Sequence, residues 1–359
     1  MKFYHLADIH LGAEPDRDCI YGKLRADEIW ETFRSVICRA KAEKPDCIFI
    51  SGDLFHRQPL MKEVREVDYL FSQIPDTLVF LTAGNHDHYN RKSAYAGFSW
   101  SSNVRFIESK EITGVSEESL GLTVYGHSYH EKEIREALYD GIEPGDEGGI
   151  HILMAHGGDA SHIPMDYRAI GQAGFHYVAM GHIHKPGIHK EFNMAYAGSL
   201  EPLDVNETGR HGYIEGEISR ENARGEYRTS VRFVPAAARE YIHLKIKLRE
   251  DMTEFELEDE IMAAMEAAGA QNMFKIVLEG VRDMNWKSDE DRIRRLGYVA
   301  AVEDRSRVSY DIESLRTQFK GQLIGAFLER FPEDGLSEQE ERILRLGLEA
   351  LLVTAGGRT

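Results

Sequence analysis

The chain has 359 residues, 42% hydrophobic and 29% charged, an ordinary globular balance with room for one large domain and one or two smaller ones. No window approaches the roughly 18 apolar residues that span a bilayer. The opening Met1-Lys2-Phe3-Tyr4-His5 reaches charge at once, so neither a membrane span nor a secretory leader is expected. Cys19, Cys38 and Cys47 are too few and wrongly spaced for a disulfide framework or a zinc knuckle. They point to a reducing cytoplasm, while a formal charge of −18 sets the average surface against a polyanionic partner.

Lys2–Ala7 is a short apolar run that ends in polar Asp8-Ile9-His10 and reads as a buried strand feeding a loop. The spacing of Leu24, Ile29, Trp30, Phe33, Val36 and Ile37 predicts a helix over residues 23–44, broken by Pro45-Asp46. Residues 47–50 form the next strand, ending at Ser51-Gly52-Asp53. A helix over 61–73 and a strand over 78–81 follow, the strand ending at Gly84-Asn85-His86-Asp87. Residues 150–155 and 177–180 are further buried strands, ending at His156 and at Gly181-His182-Ile183-His184, and residues 211–218 and 227–234 read as strands. Strands alternating with helices imply a layered α/β core, expected to close near Pro235.

Beyond Pro235 the texture changes. Strands over 241–248, 273–278 and 307–312, with helices over 253–268 and 289–296, suggest a small α+β domain over 236–312. From Glu313 to residue 359 the pattern is helical in two pieces, split at residues 331–335, with Leu315, Phe319, Leu323 and Phe327 recurring at spacing four. The apolar stripes of this segment suit either a core or a partner helix.

Five strand ends finish in metal-type ligands: Asp8-x-His10, Gly52-Asp53-x-x-His56, Gly84-Asn85-His86-Asp87, His156 and Gly181-His182-x-His184. Ligands gather at the carboxyl ends of strands in α/β sheets, so separated motifs can converge on one site. Carboxylate, imidazole and amide oxygen without thiolate favour Mn, Fe or Zn over Ca or Mg. A shared carboxylate can bridge two such ions about 3.5–4 Å apart, a pair that clamps a phosphate ester and acidifies a bound water.

All five motifs in this order resemble the calcineurin-like metallophosphoesterase superfamily over residues 1–235. Within it, Phe3–Gly12, Gly52-Asp53-Leu54-Phe55-His56, Phe175–His184 and Ala197-Gly198-Ser199-Leu200-Glu201-Pro202 resemble the SbcD and YhaO group of DNA-repair exonucleases. The resemblance implies a four-layer α/β/β/α core, with residues 236–312 as an α+β cap. It implies that Asp8, His10 and His184 hold one metal and Asn85, His156 and His182 the other, with Asp53 bridging. His86 would act beside the leaving oxygen as acid or charge-stabilising donor, Asp87 would orient it, and His56 would face substrate. The implied reaction is in-line attack on a phosphodiester by a metal-bound hydroxide, usually with Mn, as 3′-to-5′ exonuclease and single-strand endonuclease. The implied partners are DNA, a second copy of the chain, and a coiled-coil ATPase of the SMC-like SbcC type, which could supply the basic surface this acidic chain lacks. A phosphodiesterase or phosphatase acting on a nucleotide or other small ester stands beside this reading, favoured mildly by the negative charge.

Other residues are read more plainly. His127, His130, His151, His162, His176 and His189 are expected to cap strands or sit in solvent. Tyr196 and Ser199 either line the site or belong to a strand and a turn. Arg292, Arg294 and Arg295 form either a DNA contact or a solvated helix face, with Asp289, Glu290 and Asp291 beside them.

Overall fold

The computed structural model describes residues 1–145, 148–221, 226–284, 286–332 and 335–356. Residues 1–242 with 269–274 form one compact unit, and residues 243–268 with those from 275 onward form a second. Among the described residues no helix is long and apolar enough to cross a membrane.

In the first unit the elements run β1 (Lys2–Leu6), α1 (Gly22–Glu43), β2 (Cys47–Ser51), α2 (Met61–Ser72), β3 (Leu78–Thr82), β4 (Val104–Phe106), β5 (Thr113–Glu117), β6 (Leu122–Gly126), β7 (Ile150–His156), α3 (Tyr167–Gln172), β8 (Tyr177–Gly181), β9 (Gly187–His189), β10 (Met194–Tyr196), β11 (Gly212–Arg220) and β12 (Tyr227–Pro235). They build two mixed six-stranded sheets, ordered β12-β11-β1-β2-β3-β4 and β5-β6-β7-β8-β10-β9. In the first, β1 to β4 run parallel, β11 pairs antiparallel with β1 and β12 antiparallel with β11; in the second, β6, β7, β8 and β10 run parallel and β5 and β9 flank them antiparallel.

The near-continuous apolar runs of the central strands follow from burial on both faces. Successive side chains alternate: Phe3, Cys47, Phe49 and Phe80 join one apolar cluster with Ile152, Met154, Tyr177 and Ala179 of the second sheet. Tyr4, Leu6, Ile48, Ile50, Val79 and Leu81 turn the other way, onto Ile29, Phe33, Val64, Val67 and Phe71 of α1 and α2. Leu153, Ala155, Val178 and Met180 pack with Tyr129, Tyr139, Ile163 and the α3 residue Ile170. Helix α1 stops at Lys44, which takes a left-handed conformation at φ 50° before Pro45.

A buried ionic network ties α1 to the loop after β10. Arg25 pairs with Glu28, lies 3.3 Å from Glu201 and donates to the Pro202 carbonyl at 2.9 Å. Glu201 also accepts from Thr32 Oγ1 and the Ala238 backbone, each at 2.6 Å.

The second unit carries most of a sheet ordered β13 (Tyr241–Leu248), β14 (Met273–Arg282) and β15 (Val299–Asp304), with β16 (Arg307–Val308) parallel to β14. Helix α4 (Glu254–Ala267) opens on a capping box between Thr253 and Glu256, and α5 (Glu290–Arg294) is capped by Asp289. Two expectations are corrected here. The third long strand is 299–304 rather than 307–312, of which only Arg307–Val308 pairs. Among the described residues, the segment from Ile312 on holds three helices, α6 (Ile312–Gln318), α7 (Leu323–Leu328) and α8 (Glu338–Gly356), rather than two. Gly321 at φ 75° turns the chain between α6 and α7, and Leu323 is 72% exposed, so the spacing of four is not one helix face. The expected break at 331–335 includes Glu333 and Asp334, which lie outside the described residues.

Candidate metal centre

The loops after β1 and β2 run side by side. Asp8 donates its backbone N–H to the Gly52 carbonyl at 3.2 Å, His10 to Asp53 at 3.0 Å and Leu11 to Leu54 at 2.9 Å. This ladder sets Asp8 and His10 beside Asp53 at the carboxyl ends of two parallel strands. The loop after β3 adds Asn85 and His86, the end of β7 adds His156, and the residues after β8 add His182 and His184.

These side chains converge. His10 Nε2 lies 3.1 Å from His184 Nε2 and 3.8 Å from Asp53 Oδ2. His156 Nε2 lies 3.4 Å from the same Asp53 oxygen and 2.9 Å from Asn85 Oδ1, which is 3.2 Å from His182 Nδ1. Asp53 Oδ1 accepts from the His86 backbone N–H at 2.9 Å, leaving Oδ2 to face both imidazoles. Asp8 accepts from the His182 backbone N–H at 2.9–3.0 Å.

Close approach and strain accompany this convergence. A Cβ placed on Gly52 or Gly181 would overlap the His156 ring, and one on Gly84 would overlap the Asp53 carboxylate. Asp8, His10, Asp53 and His182 take positive φ of 49°, 52°, 50° and 90°. Left-handed conformations at residues with side chains cost about 1–3 kcal/mol each and cluster at functional sites.

The electrostatics are those of a buried donor set. Burial pushes the Asp8 carboxyl up to about 6 against the pull of His156 and His184. Burial acts the same way on Asp53, but the neighbouring His156 and His10 overcome it and hold this carboxyl well below the usual range. Burial lowers His10 strongly, and burial with the nearby His156 lowers His182 to about 4. His156 is the exception: burial opposes its protonation, yet Asp53 and Asp8 raise it to about 9.

Donor atoms of Asp8, His10 and His184 lie within 4.8 Å of one another, as do those of Asp8, Asp53 and His156. Two imidazole nitrogens 3.1 Å apart need a proton or a cation between them, and a mixed carboxylate, imidazole and amide set suits divalent ions. The residues present therefore fit a pair of metal ions.

His86 and His56 flank this set at its exposed side, their rings stacked with centroids 5.0 Å apart. His86 Nδ1 donates to the His56 carbonyl at 3.0 Å, while His56 Nδ1 sits 3.3 Å from His10 Nδ1. Burial and the adjacent His86 lower His56. Asp87 is buried; its carboxylate accepts from the Gly84 N–H at 2.8 Å, the Phe55 N–H at 3.2 Å and the Tyr95 hydroxyl at 2.6 Å. The expected contact from Asp87 to the His86 ring is replaced by these bonds, which brace the loop carrying Asn85 and His86.

Two further residues, Asp159 and Glu207, join the site without having been read from the sequence, and His162, expected to cap a strand or sit in solvent, lies beside Asp159. Asp159 and His162 meet His182 closely enough for a third donor group, and Glu207 reaches His184. The one local signal was Asp159, three residues after His156 and three before His162. Tyr196 donates to the Gly157 carbonyl at 3.0 Å, bracing the loop after His156. Within the basic cluster, Arg292 pairs with Glu254 and Glu258, and Arg294 donates to the Ala300 carbonyl.

Stacked mixed sheets delivering buried acids and imidazoles to one shared edge define a metal-dependent hydrolase. Residues 1–186 match the family model for calcineurin-like phosphoesterases, just over half of the chain, and the chain belongs to that family. It is 31% identical over 224 residues to the DNA double-strand break repair protein Mre11 of Methanocaldococcus jannaschii, covering 58% of each chain. The corresponding protein of Archaeoglobus fulgidus is 26% identical over a 366-residue alignment, 91% of this chain and 79% of the relative. The metallophosphoesterase YhaO of Bacillus subtilis is 26% identical over 248 residues, 62% of this chain and 60% of the relative. The matched stretch thus spans less than two thirds of the Methanocaldococcus and Bacillus proteins.

Proposed function

We propose that this metallophosphoesterase is a two-metal phosphodiester hydrolase acting on DNA, a repair nuclease with 3′-to-5′ exonuclease and single-strand endonuclease activity. The observation that carries the reading is the shared Asp53 oxygen, 3.8 Å from His10 and 3.4 Å from His156, standing between two imidazole-rich donor groups. Similarity to two Mre11 proteins named for double-strand break repair supports DNA as substrate.

In this reading Asp8, His10 and His184 hold one ion and Asn85, His156 and His182 the other, with Asp53 shared and Mn the preferred metal. When bound, the ions supply an activated water and neutralise the phosphate charge. The protein supplies the rest. His86 donates Nδ1–H to the His56 carbonyl, so Nε2 is the ring atom left to carry the second proton of the imidazolium form, the proton that would go to the leaving oxygen. His56 holds that ring from beneath and faces the substrate path, and Asp87 fixes the loop on which both Asn85 and His86 ride. Residues 1–235 form the nuclease domain in a four-layer α/β/β/α arrangement, residues 236–312 an α+β cap and 313–359 a helical segment. A homodimer and an SMC-like ATPase of the SbcC type, in the cytoplasm, complete the proposal.

A small phosphate ester as substrate is the second reading. It is favoured by the net charge of −18 and by the pairing of Arg292 with Glu254 and Glu258. Mn-dependent digestion of end-labelled duplex and single-stranded DNA, beside a p-nitrophenyl phosphodiester, separates the two. Loss of DNA label that disappears in His86→Ala supports the nuclease. Diester turnover with intact DNA supports the small substrate.

A further inference from the structure

We propose that Asp159 and Glu207 are positioning residues, each fixing the tautomer of one metal-facing histidine, His182 and His184 respectively. The proposal rests on the two-metal reading above.

A neutral imidazole carries one N–H, and the hydrogen bond made by one ring nitrogen decides which nitrogen is left to bind a metal. His184 Nδ1 lies 2.7 Å from Glu207 Oε1. A carboxylate only accepts, so Nδ1 bears the proton and Nε2, 3.1 Å from His10 Nε2, presents its lone pair. At His182 the arrangement is reversed. Nε2 lies 2.7 Å from Asp159 Oδ2 and donates, which frees Nδ1, 3.2 Å from Asn85 Oδ1. Histidines only two residues apart thus present opposite ring nitrogens, and a different carboxylate imposes each choice.

Both carboxylates are themselves held. Glu207 Oε2 accepts from the Leu203 N–H at 2.8 Å and the Ser199 hydroxyl at 3.4 Å, and that hydroxyl bonds His211 Nδ1 at 2.8 Å. The Ser199 backbone N–H in turn donates to the His184 carbonyl at 2.9 Å. The Gly198-Ser199 loop thereby becomes the mount of Glu207. Asp159 Oδ1 accepts from the Ser161 and His162 N–H groups at 2.7 and 3.0 Å, and its Oδ2 lies 2.9 Å from His162 Nδ1, so a tight local turn aims it at His182.

The test uses the full chain with labelled histidines. Long-range ¹H–¹⁵N spectra of metal-free protein should show the Nε2–H tautomer for His182 and the Nδ1–H tautomer for His184. Asp159→Asn should disturb only the first and Glu207→Gln only the second. In calorimetric titrations with Mn, each variant should weaken one of two ions by about 10–100-fold, the usual cost of losing such a partner, and spare the other. Circular dichroism checks that both variants fold. Two ions bound with unchanged affinity and unchanged tautomers in both variants would overturn the positioning role alone. Three Mn ions in the wild type, with one lost in His162→Ala, would overturn it for Asp159 by making that residue a ligand. A wild-type chain that takes up no Mn overturns the two-metal reading itself.

Discussion

His10 and His184 aim their Nε2 atoms at each other across 3.1 Å, although 174 residues separate them in the chain. Such a pair is repulsive when both nitrogens are bare, and a divalent ion resolves it. Mn is therefore expected to stabilise the metal-free chain. An ion at about 100 times its Kd adds about 2.7 kcal/mol to a site absent from the unfolded chain. Thermal melts with Mn and with a chelator measure this, and Asp53→Ala should abolish the shift. A full shift in that variant would place the ions elsewhere.

His86→Ala should keep its metal and lose turnover. The ring lies at the exposed side of the donor set and is held by a carbonyl, so removing it leaves the ligands in place. Loss of one acid or charge-stabilising contribution costs about 10²–10³ in rate. Metal content by elemental analysis beside diester turnover separates this from collapse of the site; an emptied site would make His86 a ligand.

Metal uptake should release protons. Burial lowers His156, but Asp53 and Asp8 outweigh it and raise the group to about 9 in the metal-free chain. A folded value above the ordinary 6.5 means the protonated ring contributes stability in full below pH 6.5 and loses it as pH rises through about 9. Between those limits an ion must displace that proton. Mn titrations at pH about 7.5 in buffers of different ionisation enthalpy should therefore report about one proton released from this group per chain. No dependence on the buffer would contradict the assignment.

Gly84→Ala should damage the site more than its size suggests. The added methyl overlaps the Asp53 carboxylate and its backbone N–H. Overpacking of this kind costs about 1–3 kcal/mol, read from urea unfolding, and the displaced Asp53 should cut the Mn-induced shift.

Arg25→Met should destabilise the chain by about 3–5 kcal/mol, because it strands the buried Glu201 without a cation and leaves Glu28 with Arg239 alone. The same change loosens the loop that carries Ser199 and Glu207, so Mn affinity should fall with it. Unchanged affinity in a destabilised variant would show that the network serves folding alone.

The convergence of the candidate donors was legible because each of their motifs follows an apolar run. Asp8, Asp53, Asn85, His156 and His182 stand where buried parallel strands end, and the same runs disclosed both faces of each sheet. Asp159 and Glu207 were not read: each contacts a histidine more than twenty residues away, and the spacing of Asp159 between His156 and His162 was the one local hint. The outer strand Thr113–Glu117 was hidden because it has a single apolar residue and stays largely exposed. The tail misled for the opposite reason, since Leu315, Phe319, Leu323 and Phe327 keep a helical spacing across a turn at Gly321. The resemblance implied that Asp87 orients His86, whereas the buried carboxylate bonds Tyr95 and two backbone donors.

The left-handed backbone at Asp8, His10, Asp53 and His182 has a consequence for anyone engineering this protein. Glycine or asparagine would relax each of these positions, so a search that rewards heat resistance alone should favour replacing them. The hardiest descendants from such a campaign would then be the ones that had lost the candidate metal centre. Selection for robustness in this fold needs a functional counter-screen from its first round.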